Sequence, residues 1–146
     1  MLPVFVDTGG WIAMAVVRDR FHKQAGSYYR KLSREKSPLV TSNYVLVETY
    51  TRIRYDDGHA KALQFNSLIQ EAIKVGRLHL EWVTPAIHQE AWGIFEDYPD
   101  QAFSFVDCTS FVIASHADVK EVFGFDQNFN TMGFILRPEL SSLSLS

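Results

Sequence analysis

A chain of 146 residues, 47% hydrophobic and 21% charged, carries apolar material for one core and falls short of the length of two domains. Its single cysteine, Cys108, excludes an internal disulfide and a cysteine-built zinc cage, and no apolar run reaches the roughly 18 residues of a membrane span. The formal charge of −3 argues against a uniformly basic nucleic-acid binder, and the lack of a basic leader before Asp7 implies a soluble, cytoplasmic protein without a signal peptide.

Leu2 to Val6 is a short apolar run ending in Asp7-Thr8-Gly9-Gly10, which predicts a buried strand running into a loop. Phe21 to Lys36 has helical composition, Ser37-Pro38 breaks it, and Leu39-Val40-Thr41 predicts a second strand. Ser42 or Asn43 caps a helix from Tyr44 to about Tyr55, with Leu46, Tyr50 and Ile53 on one stripe. Asp57-Gly58 stops it, and Lys61 to Val75 forms another amphipathic helix. Alternation over Leu78 to Val83 predicts a third strand, and Thr84-Pro85 starts a helix running to about Asp97.

Ser104 opens a helix through Ala117, Glu121 to Phe125 reads as a fourth strand, and Phe134-Ile135-Leu136 as a fifth. Strands separated by helices pair in parallel through right-handed crossovers. The expected fold is α/β, a three-layer helix–sheet–helix sandwich around a parallel sheet of about five strands. Residues 1–140 form one expected domain and 141–146 a loose tail.

Charge is unevenly spread. Half of all Lys and Arg, seven side chains, lie between Arg18 and Lys36, whereas Leu78 to Val119 holds seven acids and no Lys or Arg. The basic stretch reads as a solvated helix face or as one turned toward a polyanion. Its aromatics, Phe21, Tyr28 and Tyr29, suit core packing better than base stacking, so no individual RNA contact is assigned.

Four acids interrupt strongly apolar sequence, where an unpaired charge costs several kcal/mol to bury. Asp7 follows Val4-Phe5-Val6, Glu48 sits among Val45, Leu46, Val47 and Tyr50, Asp107 follows Phe105-Val106, and Asp126 follows Val122-Phe123-Gly124-Phe125. Each has a structural explanation: an N-cap for Asp7, an ion pair with Arg52 for Glu48, a capping box with Ser104 for Asp107 and an Asx-turn for Asp126. Jointly they say more. Asp7 and Asp126 end strands, Glu48 and Asp107 lie early in helices, and all four positions fall at the carboxyl edge of an open α/β sheet, where ligands collect. Converging carboxylates repel unless protons or hard divalent cations neutralise them, and an all-oxygen set suits Mg²⁺ or Mn²⁺. Neutralising the four turns the formal charge from −3 to +1, compatible with RNA. The five histidines show no His-Glu-x-x-His spacing, and Cys108 reads as a small core residue.

The segments Val-Phe-Val-Asp7-Thr8, Val-Leu-Val-Glu48, Ser-Phe-Val-Asp107-Cys108 and Val-Phe-Gly-Phe-Asp126-Gln127-Asn128-Phe129 resemble, in order and spacing, those of a PIN domain. The resemblance spans Val4 to about Leu136 and is nearest to the small VapC-type toxins of toxin–antitoxin pairs. It implies a five-stranded parallel sheet and a metal-dependent endoribonuclease. Asp7, Glu48, Asp107 and Asp126 are then the catalytic, metal-binding acids, with Mg²⁺ or Mn²⁺ as cofactor, and Thr8 and Asn128 support them. Implied partners are an RNA substrate (tRNA, rRNA or mRNA), a cognate antitoxin and a second copy in a homodimer, with no membrane. Gln127 and Asn128 stand where many relatives carry a further acid, so the alternative is a non-catalytic RNA- or protein-binding module of the same fold with a weakened metal site. A phosphoryl-transfer enzyme using Asp7 as nucleophile is disfavoured, since Gly9 occupies the place of its usual second acid.

Overall fold

The computed structural model describes residues 1–140, and the expected tail at 141–146 lies outside the described residues. Five strands form one all-parallel sheet: β1 (Val4–Val6), β2 (Leu39–Ser42), β3 (Leu78–Glu81), β4 (Glu121–Phe123) and β5 (Ile135–Arg137). Their order is β3-β2-β1-β4-β5. Parallel neighbours need crossovers, and helices supply them. Two lie between β1 and β2, namely α1 (Thr8–Ala15) and α2 (His22–Arg34), and α3 (Asn43–Asp57) and α4 (His59–Lys74) follow β2. Then α5 (Pro85–Asp97) and α6 (Phe105–His116) precede β4, and the short α7 (Asn128–Thr131) precedes β5.

The chain steps outward from β1 to β3, then jumps back across β1 to β4 and β5. Right-handed connections therefore put α1 to α4 on one face and α5 to α7 on the other. The packing agrees: α1 lies against α2 and α3, whereas α6 lies against α5 and α7. This is the three-layer α/β sandwich expected from the alternation of elements.

Alternating side chains of the inner strands feed the two cores. Phe5 faces Phe129 of α7, with ring centroids 6.3 Å apart, and Phe111 of α6 meets Phe129 edge-on at 5.1 Å. On the opposite face Phe123 meets Tyr28 of α2 edge-on at 5.0 Å. A buried polar relay ties three elements together: the Trp11 indole donates to the Thr41 hydroxyl (3.1 Å), which donates to the Val6 carbonyl (3.0 Å). That relay fixes the peptide immediately before Asp7. Ser42 caps α3 through the Val45 N–H, and Thr84 with Pro85 opens α5, both as their sequence signals indicated.

Two elements depart from expectation. The loop expected at Asp7 to Gly10 is the start of α1, and the residues that follow, Trp11, Ile12, Ala13 and Val16, are buried in the core while Val17 is exposed. Gly10 is there for space: a Cβ would stand 2.3 Å from the Phe123 carbonyl oxygen. Gly10→Ala is therefore expected to push α1 off β4 at a cost of about 1–3 kcal/mol or more, seen as a clear drop in Tm in a thermal melt. The segment after Asp126 turns into α7 rather than continuing as a loop.

Candidate active site

Strand order reverses at β1, whose neighbours are β2 and β4, and open α/β sheets gather ligands beyond the carboxyl ends of strands at such a point. Asp7 directly follows β1, and Asp126 follows the end of β4. Glu48 lies in the second turn of α3 and Asp107 in the first turn of α6. All four carboxylates line one open cavity of about 390 Å³, together with Thr8 and Asn128. The six side chains singled out from the sequence thus share a single surface.

Asp7 sits at the N-cap position of α1 without making a side-chain cap bond, so capping does not account for it. It is 7% exposed. Burial pushes its carboxyl up to about 7; the Thr8 backbone N–H pulls the other way, and Asp107, Asp126 and Glu48 add like-charge repulsion. Asp107 does form the reciprocal capping box: Ser104 Oγ accepts its N–H, and its Oδ2 accepts the Ser104 N–H, both at 3.0 Å. Burial holds its carboxyl above the usual range, the Ser104 N–H opposing and the Asp126 charge adding to the rise. Asp126 makes the expected Asx-turn, its Oδ1 accepting the Asn128 N–H at 2.9 Å.

The structural and functional readings of Asp107 and Asp126 therefore coexist. Cap and turn each engage one oxygen and aim the carboxylate into the cavity. Glu48 differs, because no ion pair joins it to Arg52 among the described residues. Asn128 meets the site with its amide nitrogen, which donates to Asp107 Oδ2 (3.3 Å) and the Ala102 carbonyl (3.2 Å). Two acceptors fix that orientation, so the support Asn128 gives is a hydrogen bond that steadies Asp107.

Among the described residues no group of three His, Cys, Asp or Glu side chains is arranged to hold a metal ion on its own. The donor chemistry nonetheless fits a hard divalent cation, which takes one or two carboxylates and keeps several waters. Thr8 adds a buried hydroxyl, Oγ1, that has no hydrogen-bond partner among the described residues. No histidine lines the cavity. His22 meets the Ala13 carbonyl, and His79 and His116 pair with Glu81 and Glu90. Cys108 is fully buried, and burial pushes its thiol up to about 11, which leaves it an inert core residue.

The basic segment forms α2, whose Ala25, Tyr28 and Leu32 face the core. Phe21 stacks on Phe125 at 4.4 Å, so this aromatic is committed to packing beside the cavity wall. Lys23, Lys31 and Arg34 border a separate groove with Arg137. Two residues not singled out as site residues in the sequence also shape the site. Arg52 lines the cavity, and its i to i+4 spacing from Glu48 is the signal that puts both on one face of α3. Gly124, just beyond β4, lets the chain pass close beside Asp7, because a Cβ there would stand 3.1 Å from the Asp7 Cβ.

This fold, with its acids at the switch point, is that of the PIN-domain family, to which the chain belongs: residues 4–135 match the PIN domain. Within that family it stands with the VapC-type toxins. It is 32% identical over 138 residues to the 23S rRNA-specific endonuclease VapC20 of Mycobacterium tuberculosis, a match covering 93% of this chain and 99% of the relative. The crystal structure of M. tuberculosis VapC20, described as a sarcin-ricin loop cleaving toxin, superposes with a TM-score of 0.77 at 31% identity, over 90% of this chain and 96% of that one. VapBC2 from Rickettsia felis, bound to a DNA fragment from its promoter, shares the fold at a TM-score of 0.66 and 15% identity, over 93% of this chain and 98% of that one.

Proposed function

We propose that this protein is an endoribonuclease that hydrolyses RNA phosphodiesters with Mg²⁺ or Mn²⁺ held by Asp7, Glu48, Asp107 and Asp126, and that it is the toxin of a toxin–antitoxin pair. The observation that carries this reading is the meeting of four acids from separate elements in one cavity beyond the ends of β1 and β4. A divalent cation bound there supplies a water of lowered pKa and positive charge against the phosphate. The chain's own groups prepare the place. Asp7, the most deeply buried acid, creates the strongest demand for a positive partner. Ser104 and Asn128 hold Asp107 at a fixed angle, and Thr8 brings a buried hydroxyl to the cavity. Phe125, backed by Phe21, forms an apolar wall that limits water at one side.

Because VapC20 is named for 23S rRNA, ribosomal RNA is the first substrate to test, with tRNA and mRNA beside it. A cognate antitoxin, a homodimer and a cytoplasmic setting complete the reading. No helix among the described residues is long and apolar enough to cross a membrane. A non-catalytic binding module is the second reading, favoured by the lack of any three acids arranged to hold an ion and by the neutral Asn128. Incubation of the purified protein with the three RNA classes in Mn²⁺ and in EDTA decides between them. Cutting at a few sites in Mn²⁺ and none in EDTA is expected, whereas no cutting in either, with a Tm indifferent to Mn²⁺, is the outcome for the binding module.

A further inference from the structure

The acidic cavity poses a charge problem for the substrate proposed above. A phosphodiester is an anion, and four carboxylates line the place it must enter. Partly desolvated like charges repel strongly, so a positive group of the protein is wanted at the rim even when a cation sits at the floor. Among the residues lining the cavity there is one Lys or Arg, Arg52.

Arg52 lies one turn beyond Glu48 on α3, so both side chains leave the helix on the same face. It is exposed, and no ion pair ties it to any described carboxylate. Arg137, by contrast, is held between Glu121 (2.6 Å) and Glu139 (2.7 Å). Lys23, Lys31 and Arg34 of α2 border the other groove, and no Lys or Arg of α2 lines this one. A guanidinium on the rim of an anionic pocket, without a partner among the described residues, matches one outside the chain. Its planar fork matches two oxygens of a phosphate.

We propose that Arg52 is the phosphate-binding residue of this cavity, its guanidinium taking the non-bridging oxygens of the phosphate that is cut. The assignment rests on the ribonuclease reading and adds to it the group that admits the substrate. The competing role is structural: at i+4 from Glu48, Arg52 would instead steady that carboxylate. The two roles differ in what they move, because a phosphate contact changes RNA binding and its salt dependence whereas a Glu48 partner changes cation affinity.

The test uses a labelled single-stranded oligoribonucleotide of mixed sequence, bound to Asp7→Asn and to the double variant Asp7→Asn/Arg52→Gln across a range of salt. The double variant is expected to bind about tenfold more weakly, with a log–log salt slope smaller by about 0.7, the loss of one phosphate contact. In the otherwise native chain, Arg52→Gln is expected to lower kcat/KM about 100-fold, with Mn²⁺ affinity by calorimetry within twofold of the native protein. Arg52→Lys is expected to restore the salt slope and only part of the rate. Unchanged RNA affinity and slope would overturn the assignment, and so would an Arg52→Gln protein whose Mn²⁺ binding weakens as it does in Glu48→Gln. Failure of the native chain to cut any RNA would contradict the ribonuclease reading instead, and the binding comparison would still decide Arg52.

Discussion

Asp7→Asn is expected to lower RNA cleavage at least about 10³-fold while raising the thermal stability of the cation-free protein above neutral pH. The first effect follows from removing the acid at the floor of the cavity, where it faces Asp107, Asp126 and Glu48; losing one group that organises charge at a reacting phosphate typically costs 10²–10³ or more. The second is unusual for a buried polar position. Asn keeps the shape of the side chain and removes a charge that burial and three neighbouring carboxylates disfavour. A rise of roughly 5–10 °C in Tm at pH 8 in EDTA is expected, read by differential scanning calorimetry beside a gel assay of RNA cutting. A variant that melts no higher than the native chain and cuts normally would contradict both the buried-charge account and the catalytic role of Asp7.

The same burial predicts the pH dependence of the native chain. Folding raises the Asp7 carboxyl from its ordinary 3.8 to about 7, so between those values the folded state binds more proton than the unfolded one. Stability of the cation-free protein therefore falls as pH rises through that window, by up to about 4 kcal/mol, and the penalty is complete above about pH 7. Below about pH 4 the group is protonated in both states and contributes nothing. Mn²⁺ competes with the proton, so its stabilisation should be small at pH 5 and large at pH 8. Urea midpoints with EDTA and with Mn²⁺ are expected to lie close together at pH 5 and to separate as pH rises toward 8. Parallel curves would show that cation and proton do not share the site.

Much of the fold was legible because each strand is a short apolar run bounded by a break. Ser37-Pro38 ahead of β2 and the alternation beginning at Leu78 in β3 both marked their strands correctly. The ends moved by a residue or two, as at β4, which stops at Phe123 rather than Phe125, because only residues paired with β1 and β5 remain in the ladder. Gly9-Gly10 misled: two glycines look like a loop, yet Gly10 is dictated by the Phe123 carbonyl, a contact between residues more than a hundred positions apart. α7 was hidden for a similar reason. The Asx-turn at Asp126 was legible, but continuation into a helical turn depends on seating Phe129 among Phe5, Phe111 and Phe134.

At the candidate site, residue types and their place along the elements were readable, whereas the division of labour was not. Local patterns told the truth about Ser104 and Asp107, and about the turn at Asp126, without excluding a second role. Such double duty is efficient: the bond that stabilises a helix start also holds a carboxylate still. The direction of the Asn128 amide is set by Ala102 and Asp107, partners more than twenty positions away, which no local spacing encodes.

Calorimetric titration of Mn²⁺ into the native chain and into Asp107→Asn, at pH 7.5, puts the shared acidic centre to its most direct trial. Binding to the native protein with proton release, weakened at least tenfold by the substitution, is the predicted result; equal binding by both proteins would contradict it.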